Sequence, residues 1–83
     1  MKTIILSPAA AKDLDALRSD VRQQVSESLD AYAISGRGDV KPLIGRGGFR
    51  LRIGRYRVIF DEDETTILAI YIGKRESGTY ARH

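Results

Sequence analysis

The chain has 83 residues, enough for one domain (1–83) with a single thin core, because a chain of this size buries roughly 60–65 % of the surface that its unfolded form exposes. Apolar residues make up 42 % and charged residues 30 %, an ordinary balance for a globular domain, and the lack of cysteine excludes disulfide staples, thiolate zinc sites and thiol nucleophiles. The net charge of +3 is concentrated: residues 37–59 carry Arg37, Lys41, Arg46, Arg50, Arg52, Arg55 and Arg57 against Asp39 alone, while 1–36 stand at −1 and 60–83 at −2.

Residues 2–6 are apolar and β-branched and predict a strand. Ser7-Pro8 then reads as an N-cap followed by proline at the first helical position, and Ala10, Leu14 and Leu17 follow at helical spacing. Ser19-Asp20 offers a second cap. Beyond it Val21, Val25, Leu29 and Tyr32 recur every three or four residues and form one face of an amphipathic helix, which Gly36 and Gly38 end. The first half is thus a helical hairpin whose apolar stripe needs a sheet to cover it.

A short edge strand is expected around Val40-Lys41-Pro42-Leu43, where proline is tolerated. Gly45-Arg46-Gly47-Gly48 lacks the Lys-Ser/Thr pair and following helix of a phosphate-binding loop and reads as a connecting loop. The period then changes to two. In Phe49-Arg50-Leu51-Arg52-Ile53 the odd positions are apolar and the even ones arginine, and after Gly54-Arg55 the alternation resumes through Tyr56-Arg57-Val58-Ile59-Phe60. A hairpin turning near Gly54 sends Phe49, Leu51, Ile53, Tyr56, Val58 and Phe60 toward the helices, and Arg50, Arg52 and Arg57 to the other face. Asp61-Glu62-Asp63-Glu64 reads as a solvated polar turn rather than a metal site. Thr66 to Ile72 is apolar at nearly every position and reads as a strand covered on both faces. The order strand, helix, helix, strand, strand, strand predicts an α+β domain, with two helices on one face of a twisted, mostly antiparallel sheet.

The longest apolar run, Ile67 to Ile72, is far below the ~20 residues that span a bilayer, and residues 1–6 are too short for a signal peptide. The expectation is a cytoplasmic protein with no membrane partner. Six of the seven cations in the basic block are arginine, whose planar fork suits phosphate and stacks on bases. Like charges on neighbouring strands repel. The strands offer no compensating acids by this reading, so an external anion completes the site. Arg75 stands just past the last strand, where it can join the same concavity, and Tyr80 lies five residues beyond it.

Asp39-Val40-Lys41-Pro42-Leu43, Arg50-Leu51-Arg52, Tyr56-Arg57-Val58-Ile59-Phe60 and Gly73-Lys74-Arg75-Glu76 with Tyr80 together resemble the RelE branch of the RelE/ParE toxin superfamily. The stretch Leu6-Ser7-Pro8-Ala9-Ala10 and the helical hairpin after it fit the same pattern, so the resemblance spans essentially the whole chain. It implies a RelE-like fold and the toxin of a type II toxin–antitoxin pair. RelE members cleave mRNA in the ribosomal decoding site, whereas ParE members share the fold and target DNA gyrase. The implied partners are a RelB-like antitoxin, acidic and largely disordered alone, together with the ribosome and mRNA. Operator DNA is reached only through the antitoxin.

By the same resemblance the catalytic set falls on Arg50, Arg52, Arg57, Arg75 and Tyr80. Arg50 and Arg52 stand where relatives usually carry lysine. Arginine does not release its proton in practice, so these two orient the RNA backbone and stack rather than act as bases. The implied reaction needs no metal or cofactor: the RNA 2′-OH attacks the adjacent phosphorus, giving a 2′,3′-cyclic phosphate and a free 5′-OH. Arg57 and Arg75 clamp the phosphate as its charge develops. Tyr80 stacks on a base or, with its pKa lowered by nearby cations, takes the proton. Lys41, Arg46, Arg55 and Lys74 are assigned to RNA contact. His83, the one histidine, is a secondary candidate for proton transfer.

Overall fold

The computed structural model describes residues 1–74, in the order β1 (Thr3–Leu6), α1 (Pro8–Asp15), α2 (Ser19–Ser35), β2 (Asp39–Pro42), β3 (Phe49–Ile53), β4 (Tyr56–Glu62) and β5 (Thr66–Lys74). The five strands form one sheet in the order β1-β5-β4-β3-β2. β1 pairs with β5 in parallel, Thr3 opposite Thr66 through Leu6 opposite Ala69, and the other three pairings are antiparallel. The predicted α+β architecture is therefore present, and the expected edge strand is β2, with Pro42 at its end.

Local chemistry explains the helical ends. Ser7 caps α1, its Oγ accepting from the Ala10 amide at 3.1 Å, and Pro8 opens the helix where a missing N–H costs nothing. Gly36 closes α2 at φ 73°, a left-handed conformation that glycine adopts without a Cβ clash. The second cap differs from the sequence reading. The N-cap of α2 is Arg18, with no side-chain cap bond, and Ser19 and Asp20 already lie inside the helix. Asp20 instead accepts from the Arg18 guanidinium at 2.8 and 3.2 Å. That hydrogen bond holds the carboxyl below its ordinary pKa.

Ala10 of α1, Val25, Leu29 and Ala33 of α2, and Leu51, Ile53, Val58, Phe60, Ile67, Ala69 and Ile72 of the sheet form the buried core. Phe60 sits at its centre, fully buried, with the Phe49 ring stacked 5.6 Å away and the Tyr32 ring edge-on at 5.4 Å. Burying a side chain of this kind contributes about 1.5–3 kcal/mol. Each strand residue in this set alternates with one on the other face, as the period of two predicts.

Two strand assignments need correction. Asp61 and Glu62 are not in a turn, because β4 runs through them, and the turn begins at Asp63, which caps it by accepting from the amides of Thr65 and Thr66 at 2.9 and 2.8 Å. Those two backbone bonds hold the Asp63 carboxyl below its usual range. Glu62 faces the helices, accepting from Lys2 Nζ at 2.6 Å and from the Tyr32 hydroxyl at 2.5 Å. Burial works to raise its pKa, but the bonds from Lys2 and Tyr32 outweigh it and the net direction is down. Desolvation, reinforced by Glu62, pushes the Tyr32 phenol up to about 12.

The second correction concerns β5. It runs on through Lys74 rather than ending at Ile72, and it is covered on one face only: Leu68 and Tyr71 are each 37 % exposed. A run of apolar residues reads as doubly buried when nothing polar interrupts it. Here a bulge breaks the alternation, since Ile59 pairs with Tyr71 while Phe60 pairs with Ala69, leaving Ile70 as the extra residue. Among the described residues no helix is long and apolar enough to cross a membrane.

Candidate nucleic-acid interface

The sheet face away from the helices gathers the basic side chains. Val40, Leu51 and Val58 pair in register on the helical side, so the positions between them point the other way. Lys41 stands directly opposite Arg50, and Arg52 directly opposite Arg57. Two like-charge pairs thus lie side by side across three strands, an arrangement that lowers stability unless an anion joins them. Gly54, at φ 57°, takes the first position of the two-residue turn that sets this register.

The face is not wholly without acids, contrary to the sequence reading. Asp39 pairs with Arg52 across β2 and β3, and its Oδ2 lies 3.8 Å from Arg52 Nε. At that length and with both groups partly exposed, the pair contributes at most ~1 kcal/mol and leaves most of the guanidinium donors available. Arg50 Nε is buried and has no hydrogen-bond partner among the described residues. Desolvating a guanidinium donor in this way is unfavourable, and an incoming phosphate oxygen relieves it.

Arg57 meets an aromatic neighbour that the sequence reading did not single out. Its guanidinium carbon lies 5.8 Å from the centroid of the Tyr71 ring, within cation–π range. Tyr71 reaches the open face because the bulge at Ile70 shifts the phase of β5. Its ring tip lies over Gly73, the cross-strand partner of Arg57: a Cβ placed at Gly73 would fall 2.7 Å from Tyr71 Cζ. The signal in the sequence was a tyrosine two residues before a glycine in a strand. It was masked because Tyr71 read as one more apolar residue in a buried run.

The remaining assigned residues are spread out. Arg46 lies in the exposed 43–48 loop, where its Nε donates to the Gly47 carbonyl at 3.4 Å, and Arg55 sits exposed in the β3–β4 turn. These two therefore flank opposite ends of β3. Lys74 pairs with Tyr56, whose side chain packs on the core, so strand alternation assigns Lys74 to the helical side of the sheet and away from Arg57. Arg75, Tyr80 and His83 lie outside the described residues. Among the described residues, no three of His, Cys, Asp or Glu converge as a metal-binding group.

The fold has relatives. Residues 4–77 match the family described as the ParE toxin of type II toxin–antitoxin systems, parDE. No curated protein matches the chain. Among solved structures, the archaeal RelE–RelB complex from Pyrococcus horikoshii OT3 is similar at 21 % identity and a TM-score of 0.77, over 93 % of this chain and 98 % of that one. The toxin–antitoxin complex RelBE2 from Mycobacterium tuberculosis is similar at 27 % identity and a TM-score of 0.73, over 89 % and 98 %. The intact RelBE toxin–antitoxin complex of E. coli gives 26 % identity and a TM-score of 0.69, over 92 % and 99 %. With a family match across nearly its whole length, this chain belongs to the RelE/ParE superfamily and is the toxin of a type II toxin–antitoxin system.

Proposed function

We propose that the toxin is a ribosome-dependent endoribonuclease that cleaves translated mRNA and so inhibits translation. The observation that carries this reading is the pair of like-charge cross-strand pairings, Lys41 opposite Arg50 and Arg52 opposite Arg57, together with the buried Nε of Arg50, which has no hydrogen-bond partner among the described residues. A scissile phosphate between these groups receives bidentate donors, and its transition-state charge is met by cations already in place. Arg57 serves as the phosphate clamp with Arg75, while Arg50 and Arg52 orient the backbone and Lys41, Arg46 and Arg55 extend the attraction along the strand of RNA. Tyr80, or His83 in second place, moves the 2′-OH proton. The step forms a bond from O2′ to phosphorus, breaks the bond from phosphorus to O5′, and leaves a cyclic phosphate and a 5′-hydroxyl. No metal or cofactor takes part.

The partner in the resting state is a RelB-like antitoxin, as in the RelB-bound relatives. Its acidic character complements the net charge of +3, and it carries the contact with operator DNA. One observation favours a second reading: the family that matches residues 4–77 is described by its ParE members, so inhibition of DNA gyrase without nuclease activity is the alternative. Primer extension on cellular mRNA after induction separates the two. Discrete breaks within translated codons support the nuclease. Intact mRNA, with loss of supercoiling by purified gyrase in the presence of the toxin, refutes it.

A further inference from the structure

We propose that Tyr71 is a positioning residue for Arg57: its ring sets the direction of the guanidinium that clamps the scissile phosphate, an inference that rests on the nuclease reading above. Arg57 has Arg52 directly across the strand pair, and repulsion between them drives the two guanidinium groups apart. The Tyr71 ring, 5.8 Å from the Arg57 guanidinium carbon, supplies an attraction that draws Arg57 toward the β5 side of the face.

Three features built into the fold put the ring there. The bulge at Ile70 turns Tyr71 to the open face. Helix α1 fixes that bulge from the other side: Ser7 Oγ donates to the Ile70 carbonyl at 3.2 Å, and Asp13 Oδ2 accepts from the Ile72 amide at 3.1 Å. Gly73 leaves the space that the phenol tip occupies, and any larger residue there displaces it. The ring is 37 % exposed, so burial alone does not account for its placement.

The test uses the full toxin in single-turnover cleavage of ribosome-bound mRNA, with the Arg57 Nε–H NMR signal as a second readout. Y71L and G73A, the latter leaving tyrosine in the chain but moving its ring, are each expected to slow cleavage at saturation about tenfold. Binding to the ribosome–mRNA complex stays within ~2-fold and the thermal midpoint does not move, because neither change touches the core. Y71F recovers most of the loss, since the ring and not the hydroxyl faces Arg57. The ring-current shift of the Arg57 signal disappears in Y71L and changes in G73A. An unchanged cleavage rate in Y71L, or a Y71F variant as impaired as Y71L, overturns the proposal. If the parent toxin cleaves no mRNA, the nuclease reading falls instead, and the Arg57 signal still decides the pairing: no shift between parent and Y71L overturns it.

Discussion

On the helical side of the sheet Val58, Phe60 and Ile67 are fully buried among apolar neighbours, while one residue along each strand the same sheet holds Lys41, Arg50, Arg52 and Arg57 facing one another. The covered face lowers the free energy of the fold, and the open face raises it through like-charge pairs. The sheet therefore stores on one side a cost that the other side offsets, and an anion is the natural release of that cost. A protein selected for stability alone has no use for the second face.

This contrast is open to direct attack, and the largest effect belongs to the covered face. Phe60→Ala is expected to lower unfolding free energy by about 3–5 kcal/mol in urea titration, with toxicity lost along with the fold. A well-folded F60A variant removes the claim that this ring organises the core. On the open face the signs reverse: Arg57→Ala is expected to slow mRNA cleavage ~10²–10³-fold while the thermal midpoint stays within about 2 °C. Full activity in that variant dissolves the contrast.

A smaller effect tests the polar cluster at the margin of the core. Glu62 has a folded pKa below its unfolded value of about 4.3, so its contribution is complete above that pH and is lost as pH falls through the folded value. Tyr32 runs the other way: with its phenol raised to about 12 from 10.0, its contribution is present below pH 10 and is lost as pH rises toward 12. Glu62→Gln should cost about 1–2 kcal/mol at neutral pH and flatten the acid limb of the stability profile below about pH 4.3. An acid limb as steep in the variant as in the parent assigns that limb to other carboxylates. The smallest effect concerns the one acid on the basic face. Asp39→Asn frees Arg52 from its 3.8 Å neighbour and is expected to tighten binding of a short RNA about 2–5-fold at low salt, read by fluorescence anisotropy. Weaker binding would make Asp39 an orienting partner of Arg52 rather than a competitor for it.

Much of the scaffold was legible in the residues. Ser7-Pro8, the Val21–Tyr32 spacing, Gly36 and the alternation of Phe49–Ile53 and Tyr56–Phe60 each carry a local reason for their element, and the arginine face follows from period two alone. What escaped depends on contacts made far along the chain. Glu62 looked like part of an acidic turn because nothing nearby reveals that Lys2 and Tyr32 will meet it. Ser19 and Asp20 have capping side chains, but Asp20 is held by Arg18 and the helix starts a residue early. The pairing of Asp39 with Arg52 needed the register of β2, which its four residues do not specify. The exposure of Tyr71 needed the bulge at Ile70, whose supports, Ser7 and Asp13, lie about sixty residues earlier.

The parallel pairing of β1 with β5 joins Thr3–Leu6 to residues 66–69. During synthesis, therefore, the first strand waits without its neighbour until the last one has been made. Helices and the central hairpin can form from nearby residues, but the sheet closes only then, at the large loop-closure cost of a contact spanning most of the chain. A ribosome making this toxin thus carries a nascent chain whose basic strands are complete before the sheet edge formed by β1 can close on residues 66–69.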